Sequence, residues 1–336
     1  MRVAVLGATG LVGREMIGLL EERDFPVDEL LPLASPRSAG AEVLFRGRPW
    51  KIQAVTEQSF EGVDLALFSA GSGPSRLWAP LAARSGAVVV DNSSAWRMDP
   101  QTPLVVPEVN GKAALRHRGI IANPNCATIQ AVVAAWPLHR EASLSYLGAV
   151  TFQSVSGTGR DALEELEGGA RAVLSGEEPV SSIYPHPIAF NALPHIGTFD
   201  DDGVSEEEWK MVRESRKIMD LPDLAVSCTT VRVPVFRGHS EALLLQFSSD
   251  LSPQRAREIL CAAPGVVVVD EPALARYPLA RETAGTDPVY VGRIRRDTGR
   301  EKTLALWVVS DNLRKGAALN AVQICETLLE GGALRP

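Results

Sequence analysis

The chain has 336 residues, of which 45% are hydrophobic and 22% are charged. This length is too great for one small core and predicts two domains, or one domain with a large insertion. The formal net charge of −7 argues against nucleic acid or an anionic membrane as the main partner. No apolar stretch reaches the ~20 residues that span a bilayer, and the N-terminus does not read as a secretory signal. The four cysteines are widely spaced, which indicates a reduced cytoplasmic protein, and the five scattered histidines suggest no metal site.

The first third of the chain, to about Ala122, alternates short apolar runs with stretches of helical periodicity. The predicted elements are a strand at 2–6, a helix at 11–20, strands at 30–34 and 64–68, a helix at 75–84 and a strand at 87–90. Such alternation is typical of a doubly wound parallel sheet. We therefore expect a Rossmann-like dinucleotide-binding domain over residues 1–125.

The rest of the chain has longer strand patterns. The predicted elements are helices at 128–136 and 161–174 and strands at 145–153, 225–235, 242–247, 289–295 and 303–309. They predict an α+β domain with a mixed sheet over residues 126–310. The acidic stretch 199–209 predicts an exposed loop followed by a helix start. A last amphipathic helix, at 319–329, would lie in a segment of about 311–336 that returns to complete the first domain.

A glycine-rich turn follows the first predicted strand, where "VLGATGLVG" places Gly7, Gly10 and Gly13 before the first helix. Glycine permits close approach of the backbone to a pyrophosphate, and the helix N-terminus presents N–H groups to the anion. A glycine motif alone is weak evidence. Its position between a strand and a helix favours nucleotide binding over a plain turn.

The end of the second predicted strand indicates which dinucleotide. NAD-preferring sites usually place an acidic residue there to hold the ribose 2′-hydroxyl. Here the strand is followed by Ser35, Arg37 and Ser38 with no carboxylate, which suits the 2′-phosphate of NADP(H). A solvated loop cation is the alternative interpretation of Arg37.

Cys126 follows the turn-forming sequence Asn-Pro-Asn and precedes an apolar helical run. With Asn125 as N-cap, Cys126 would lie in the first helical turn, where the helix dipole favours a nucleophilic thiolate. Cysteines are more often packing residues, and we expect that role for Cys228, Cys261 and Cys325. The residues alone leave both interpretations of Cys126 open.

His239, in "RVPVFRGHSEA", is the candidate acid/base for such a cysteine because it follows a strand and adjoins Gly238. His117 and His139 read as solvated, and His186 and His195 lie in proline-rich loops. A lone histidine is usually structural, so the pattern alone does not decide the role of His239.

Eight separated motifs cover nearly the whole chain in order: "GATGLVG", "LASPRSAG", "DNSSAWRMDPQTPLVVPEVN", "NPNCATIQ", "TFQSVSGTGR", "EEWKMVRESRKIM", "RVPVFRGHSEA" and "DNLRKGAALNAVQI". Together they resemble the bacterial aspartate-β-semialdehyde dehydrogenase family. The resemblance implies NADPH-dependent reductive dephosphorylation of L-aspartyl-4-phosphate to L-aspartate-4-semialdehyde through a cysteine thioester, on the route to lysine, threonine and methionine. It also implies a homodimer formed through the sheet of the second domain, with a tetramer left open.

The resemblance also implies roles for single residues. Cys126 matches the nucleophile, His239 the acid/base that protonates the hemithioacetal oxygen, and Gln153 the residue that orients the intermediate. Implied substrate and phosphate ligands are Arg232 for the α-carboxylate, Arg97 and Lys210 for phosphate with Asn125 beside them, and Glu207 for the substrate amine or for steadying Lys210. Implied cofactor contacts are Gly7, Thr9, Gly10, Leu11, Val12, Ser35, Arg37 and Ser38, with Ser156, Gly157 and Asn312 near the nicotinamide. One departure is Ala127, where the family often has serine or threonine; Thr128 is a partial substitute.

Other functions remain open at this stage. N-acetyl-γ-glutamyl-phosphate reductase uses the same chemistry, but its Gly-Cys-Tyr-Pro context is absent here. An acyl-CoA reductase on the same scaffold is a further alternative. A non-catalytic NADP-binding paralogue would be expected to lose the cysteine or the histidine, and this chain keeps both.

Overall fold

The computed structural model describes residues 1–334, which fall into two compact units. The first unit consists of residues 1–125 together with the described residues from Ala317 onward, and the second unit consists of residues 126–316. Arg335 and Pro336, which end the segment 311–336 expected to complete the first domain, lie outside the described residues.

The regular elements are named here in chain order. The strands are β1 Arg2–Leu6, β2 Glu29–Ala34, β3 Glu42–Phe45, β4 Arg48–Lys51, β5 Gln53–Ala54, β6 Leu65–Phe68, β7 Val88–Asp91, β8 Ile120–Ala122, β9 Leu144–Gln153, β10 Ala225–Arg232, β11 His239–Phe247, β12 Val266–Val268, β13 Val289–Arg296 and β14 Thr303–Ser310. The α-helices are α1 Leu11–Glu22, α2 Ser72–Arg84, α3 Pro107–Asn110, α4 Cys126–Ala142, α5 Arg160–Leu174, α6 Glu206–Met219, α7 Pro253–Cys261, α8 Ala280–Thr283 and α9 Leu319–Glu330.

The first unit is built on a parallel sheet with the strand order β5-β2-β1-β6-β7-β8. Alternate residues of β1 enter different apolar clusters: Val3 and Val5 pack with residues of α1 and α9, and Ala4 and Leu6 pack with residues of α2. Because helices cover both faces, the strands read as continuous apolar runs. The predicted doubly wound parallel sheet is confirmed.

The helix predicted at 319–329 forms as α9 and belongs to the first unit. Its apolar residues Leu319, Val322 and Cys325 enter the same core cluster as Met16 and Leu20 of α1. A buried amide also ties the helix to the unit, since Asn320 Nδ2 donates to Val105 O at 2.9 Å and to Asn123 Oδ1 at 2.7 Å.

The second unit is built on a sheet with the strand order β10-β9-β11-β14-β13-β12. The pairs β10–β9 and β12–β13 are parallel, and the pairs β9–β11, β11–β14 and β13–β14 are antiparallel. This is the predicted mixed sheet. Helices α4, α6 and α7 pack against it, and the predicted exposed acidic loop leads into α6, whose N-cap Ser205 forms a capping box with Glu208.

Several predicted boundaries were wrong for identifiable reasons. Helix α4 does not stop before Pro137 but continues to Ala142, because Leu138 and Ala142 are buried in its last turns. Strand β10 ends at Arg232, shortly before Pro234, which has no N–H to donate. The β3–β4 hairpin was not predicted; its two-residue loop, Arg46 and Gly47, has positive φ at both positions.

Candidate active site

The nucleotide loop of the first unit is held by close backbone contacts at its glycines. Gly7 has a φ of +92°, and a Cβ there would lie 2.4 Å from Ser69 O. A Cβ on Gly13 would lie 2.1 Å from Gly7 O, so the first turn of α1 packs directly on the loop. Thr9, Gly10, Leu11 and Val12 follow at the surface, where α1 begins. This backbone cradle fits the pyrophosphate of a dinucleotide.

Replacing Gly13 with alanine is expected to weaken NADPH binding at least ~10-fold and to destabilise the fold by about 1–3 kcal/mol, because the methyl group overlaps Gly7 O. Fluorescence titration with NADPH and thermal unfolding measure the two effects. Gly18 lies in the same helix with no atom within 4 Å of its Cβ position. Gly18→Ala is therefore the matched control and should stabilise slightly. Equal NADPH affinity in both variants would contradict the close-packing account.

The sequence predicts that the adenosine ribose of the dinucleotide binds at the end of β2. The strand ends at Ala34, and residues Pro36–Ser38 form a short 3₁₀ turn after it. Ser35 and Arg37 are exposed and Ser38 is half-buried. The structure thus presents a guanidinium and two hydroxyls beyond the strand, with no carboxylate between residues 35 and 41.

Arg97, an implied phosphate ligand, is buried. Its Nε donates to Asn123 O at 3.0 Å and its Nη2 donates to Asn92 O at 2.9 Å. Two backbone carbonyls therefore hold the guanidinium in place. Asn125, also buried, ends the first unit immediately before helix α4.

Cys126 is the first residue of α4, as the sequence predicts, and is half-buried. The adjacent Ala127 and Thr128 are buried. A Cβ on Gly316 would lie 2.9 Å from Cys126 Cβ, so the backbone at Gly316 packs directly against the cysteine. The thiol therefore lies at a helix N-terminus and is closely confined by the chain on one side.

Sheet topology explains how three separated polar residues meet in the second unit. Strands β9 and β10 run parallel and end at the paired residues Gln153 and Arg232. Strand β11 runs antiparallel to β9 and therefore begins, with His239, at the same edge. All three side chains are buried. A Cβ on Gly157 would lie 3.3 Å from Arg232 Nη1 and 3.5 Å from His239 Nε2, so both nitrogens converge on this glycine.

Helix α6 adds an acid–base cluster to the second unit. Glu207 Oε1 accepts from Gln153 Nε2 at 3.2 Å, and Glu207 Oε2 lies 3.2 Å from Lys210 Nζ. Glu206 Oε1 lies 3.1 Å from the same ammonium group. Burial alone would lower the Lys210 pKa, but Glu207 and Glu206 outweigh it and the pKa is raised. Glu207 therefore steadies both Gln153 and a charged Lys210.

His239 is fully buried, and its pKa is lowered to about 3, first by burial and then by the positive charge of Arg232. Its Nδ1 lies 3.0 Å from the backbone nitrogen of Ser154. The imidazole is therefore neutral at physiological pH. Of the histidines in residues 1–334, His239 alone is fully buried.

The predicted nicotinamide contacts Ser156 and Asn312 are also brought together. Asn312 Nδ2 donates to Ser156 Oγ at 2.9 Å, and Asn312 Oδ1 accepts from the Gly238 backbone N–H at 2.9 Å. Gly157 follows Ser156 in a short 3₁₀ turn. Asn312 thus anchors the segment that leads into His239.

Three lesser predictions were wrong. Cys261 is exposed at the last residue of α7 and is not a packing residue, whereas Cys325 is buried as expected. His117 and His139 are half-buried rather than solvated, and burial lowers the pKa of both. Their Nδ1 atoms accept backbone N–H bonds that close local turns.

The sequence interpretation missed two polar residues beside the site. Ser154 contacts His239 through its N–H and holds Arg232 through its carbonyl, with Arg232 Nη1 donating at 2.7 Å. Asp311 is fully buried and accepts from Arg237 Nε at 2.6 Å and from the Gly285 N–H at 2.6 Å. Both lie inside motifs already singled out, so their only sequence signal was adjacency to Gln153 and Asn312.

Known proteins match the chain along its length. Residues 2–117 match the family described as "Semialdehyde dehydrogenase, NAD binding domain", and residues 136–315 match "Semialdehyde dehydrogenase, dimerisation domain". Aspartate-semialdehyde dehydrogenase of Aquifex aeolicus is 51% identical, with 99% of each chain covered. The Bacillus subtilis enzyme of the same name is 47% identical over 98% of this chain and 97% of its own. The chain belongs to the aspartate-semialdehyde dehydrogenase family.

A solved structure agrees with this membership. Aspartate semialdehyde dehydrogenase II of Vibrio cholerae, complexed with ASA, is 44% identical with a TM-score of 0.95, and the match covers 98% of each chain. The protein is therefore an oxidoreductase of this family, with a nicotinamide-cofactor domain in its first unit. Among residues 1–334 no helix is long and apolar enough to cross a membrane, and no group of three or more metal-ligand side chains gathers.

One buried acid near the site provides a test by pH. Glu241 lies on β11 two residues after His239, and burial raises its pKa well above the ordinary value, an effect that Gln130 offsets only in part. Neither carboxylate oxygen completes a hydrogen bond among the described residues. The folded protein thus keeps the Glu241 carboxyl protonated at pH values where the unfolded chain has lost that proton.

Glu241→Gln is expected to raise the apparent Tm, and the gain should grow as the pH rises above the ordinary glutamate pKa of 4.5. Above that pH the unfolded state releases the Glu241 proton, whereas the folded state keeps it. Glu241 therefore lowers the free energy of unfolding as the pH rises, and glutamine, which does not titrate, removes this loss of stability. Thermal unfolding at pH 5 and pH 8 should show a gain of at least ~2 °C at the higher pH. The same change at exposed Glu301 is the control. A gain in Tm that becomes smaller as the pH rises would contradict the predicted pH dependence.

Proposed function

We propose that the protein catalyses the NADPH-dependent reductive dephosphorylation of L-aspartyl-4-phosphate to L-aspartate-4-semialdehyde through a thioester on Cys126. The product lies on the shared route to lysine, threonine and methionine. The observation that carries the proposal is the convergence of Arg232 and His239 on Gly157, in the same unit whose helix α4 begins with Cys126.

The proposed roles follow from the chemistry of each side chain. The Cys126 thiolate attacks the acyl phosphate, and phosphate leaves with Arg97 and Lys210 as its ligands and Asn125 beside them. Arg232 binds the substrate α-carboxylate, for which a planar guanidinium is suited. Gln153 orients the thioester, Glu207 holds Gln153 and Lys210, and His239 presents Nε2 to the reacting carbonyl oxygen.

NADP(H) is the proposed cofactor, and when bound it supplies the hydride that reduces the thioester. The pyrophosphate would be held by the Gly7–Gly13 cradle, with Thr9, Leu11 and Val12 around it. Arg37, Ser35 and Ser38 would bind the 2′-phosphate, which the lack of a carboxylate after β2 supports. Ser156, Gly157 and Asn312 are proposed to contact the nicotinamide side.

A homodimer is proposed through the face of the second sheet that α4, α6 and α7 leave uncovered. The matched family description "dimerisation domain" supports oligomerisation. Val150 on β9 and Ala242 and Leu244 on β11 face outward, and a groove along this face is lined by Gly148, Val150, Ala242, Leu244 and Ala305 together with the polar residues Ser227, Thr229 and Arg295. The tetramer that the sequence left open would need a further surface. We propose a cytoplasmic location, which is supported by four cysteines that form no disulfide among residues 1–334.

The function is tested by a steady-state assay with L-aspartate-4-semialdehyde, phosphate and either NADP⁺ or NAD⁺. We expect phosphate-dependent reduction and a higher kcat/KM with NADP⁺. In the reductive direction, aspartyl phosphate should be used faster than N-acetyl-γ-glutamyl phosphate or malonyl-CoA at equal concentration. Preference for either rival substrate would identify one of the alternative reductases, and absence of all activity would favour a non-catalytic protein.

Arg232→Lys is expected to raise KM for the semialdehyde by about 10- to 100-fold, with a smaller change in kcat. Lysine keeps the charge but cannot bind a carboxylate with two parallel hydrogen bonds, nor hold Ser154 O in the same geometry. Initial rates over a range of semialdehyde concentrations separate the two constants. Arg171→Lys, at an exposed position of α5, is the matched control, and an unchanged KM at Arg232→Lys would exclude the carboxylate role.

A further inference from the structure

A short loop after strand β7 brings the Arg97 guanidinium back to the end of that strand. Strand β7 ends at Asp91, and residues 92–96 form no helix or strand before Arg97. Arg97 Nη2 donates to Asn92 O at 2.9 Å, so the loop closes on its own first residue. Arg97 Nε donates to Asn123 O at 3.0 Å, and the Asn123 N–H donates to Asp91 O at 2.8 Å. The position of the guanidinium therefore depends on the course of this 91–97 loop.

The carboxyl group of Asp91 organises the middle of the 91–97 loop. Asp91 is fully buried, and its Oδ2 accepts from Ser93 Oγ at 2.6 Å. Ser93 Oγ in turn accepts from the Ala95 N–H at 3.2 Å. One serine hydroxyl therefore links the Asp91 carboxyl group to the backbone two residues before Arg97.

A second hydroxyl, that of Ser75 on helix α2, lies between Asp91 and the residue next to Arg97. Trp96 Nε1 donates to Ser75 Oγ at 3.0 Å, which leaves the hydroxyl hydrogen of Ser75 for another acceptor. Burial raises the pKa of Asp91, and hydrogen bonding from Ser93, then from Ser75, and the charge of Arg97 lower it only in part. The residue immediately before Arg97 is therefore also connected to the Asp91 carboxyl group.

The contacts of Asp91 do not suit a residue that serves the stability of the fold. Its Oδ1 completes no hydrogen bond of normal geometry among residues 1–334, although the side chain is fully buried. Ser75 thus approaches the carboxyl group closely enough to affect its pKa without completing a bond. A buried carboxyl group with an unpartnered oxygen lowers the free energy of unfolding. Such a residue is expected to serve the site to which its contacts lead, and these contacts lead to Arg97.

We propose that Asp91 is a positioning residue for the phosphate site: through Ser93 and Ser75 it sets the course of the 91–97 loop, and so the place of the Arg97 guanidinium that binds phosphate. This role rests on the proposed function, in which Arg97 is a phosphate ligand. Asp91 acts through Arg97 and takes no part in the bond changes. Its loss should weaken phosphate binding and leave hydride transfer intact.

Variants at Asp91 test the link by steady-state kinetics. Asp91→Ala removes the oxygen that accepts from Ser93, and KM for phosphate should rise about 10- to 100-fold, because a displacement of about 1 Å at a binding group can cost this much. KM for the semialdehyde should stay within about twofold. Asp91→Asn keeps an oxygen for Ser93 and should bring KM for phosphate to within about threefold of the unmodified protein. Initial rates at varied phosphate, with the semialdehyde and NADP⁺ saturating, measure these constants.

A measurement without phosphate separates the positioning of Arg97 from general damage to the protein. Under the proposed function, the semialdehyde and NADP⁺ alone give a burst of NADPH, and phosphate enters only after this hydride transfer. Asp91→Ala should therefore keep the amplitude and the rate of the burst. A residue with a purely structural role would change the burst and KM for phosphate together.

A smaller change tests the same link with less risk to the fold. Ser93→Ala removes one buried oxygen atom and should raise KM for phosphate about three- to tenfold. Ser94→Ala is the matched control, because Ser94 is exposed and its Oγ lies 2.9 Å from Ser72 Oγ instead. Phe25→Leu, in the buried core of the same unit, is the control for stability. It should lower Tm and leave KM for phosphate unchanged.

Arg97→Ala distinguishes a failure of this proposal from a failure of the proposed function. It should raise KM for phosphate at least as much as Asp91→Ala does. If it does so while Asp91→Ala and Ser93→Ala leave this KM unchanged, Asp91 is not a positioning residue although Arg97 binds phosphate. Equal losses in Asp91→Asn and Asp91→Ala, or a burst lost in Asp91→Ala, would also overturn the proposal. An unchanged KM for phosphate in Arg97→Ala would overturn both the phosphate role of Arg97 and the positioning role of Asp91.

Discussion

Cys126→Ala is expected to lower kcat for phosphate-dependent semialdehyde oxidation by at least ~10³-fold, because the covalent intermediate cannot form without the sulfur. The fold should be retained, since Cys126 is only half-buried and its replacement removes a single atom. Initial rates with NADP⁺ and phosphate measure the loss, and thermal unfolding checks the fold.

Cys261→Ala is the matched control for this change, because Cys261 is an exposed cysteine at the opposite end of another helix. It should have the kcat of the unmodified protein. Substantial phosphate-dependent activity in Cys126→Ala would rule out the thioester route, whatever the behaviour of the control.

His239→Asn is expected to lower kcat by about 10²- to 10³-fold with little change in NADPH affinity. Asparagine can still accept from the Ser154 N–H but places no donor at the Nε2 position. The pH dependence gives a second readout. Since the His239 pKa is lowered to about 3, titration of this ring should cause no loss of kcat near pH 6.5. A fall of kcat near pH 6.5 that is present in the unmodified protein and absent from His239→Asn would show that the ring titrates in the working enzyme.

His139→Asn provides the comparison, because His139 is half-buried and its Nδ1 also accepts a backbone N–H. It should lose little activity. A loss equal to that of His239→Asn would mean that the effect arises from stability and not from the site.

Local patterns in the sequence were enough for the central strands and the glycine loop of the first unit. Its strands are buried on both faces and its glycines are dictated by backbone contacts, so apolar runs and the spacing of Gly7, Gly10 and Gly13 carried the information. The start of α4 at Cys126 was likewise indicated by the preceding Asn-Pro-Asn turn. The β3–β4 hairpin was not predicted because its turn places Arg46 at a positive φ, which arginine seldom adopts.

The site in the second unit could not be predicted from local patterns, because it is formed by the pairing of strands that are distant in the sequence. Gln153, Arg232 and His239 meet because one strand pair is parallel and the next is antiparallel, and no local pattern encodes that register. Only the family resemblance brought these residues together before the structure did. The role of Ser154 could not be anticipated, because it acts mainly through its backbone N–H and carbonyl, which every residue except proline possesses.

The most direct test of the account is a rapid-mixing experiment with L-aspartate-4-semialdehyde and NADP⁺ in the absence of phosphate. If Cys126 carries the acyl group, NADPH should appear in a burst of one equivalent per active site and then almost stop, and added phosphate should restore turnover. Cys126→Ala should give no burst. NADPH formation at the same steady rate with and without phosphate, or a burst that survives in Cys126→Ala, would contradict a thioester on this cysteine.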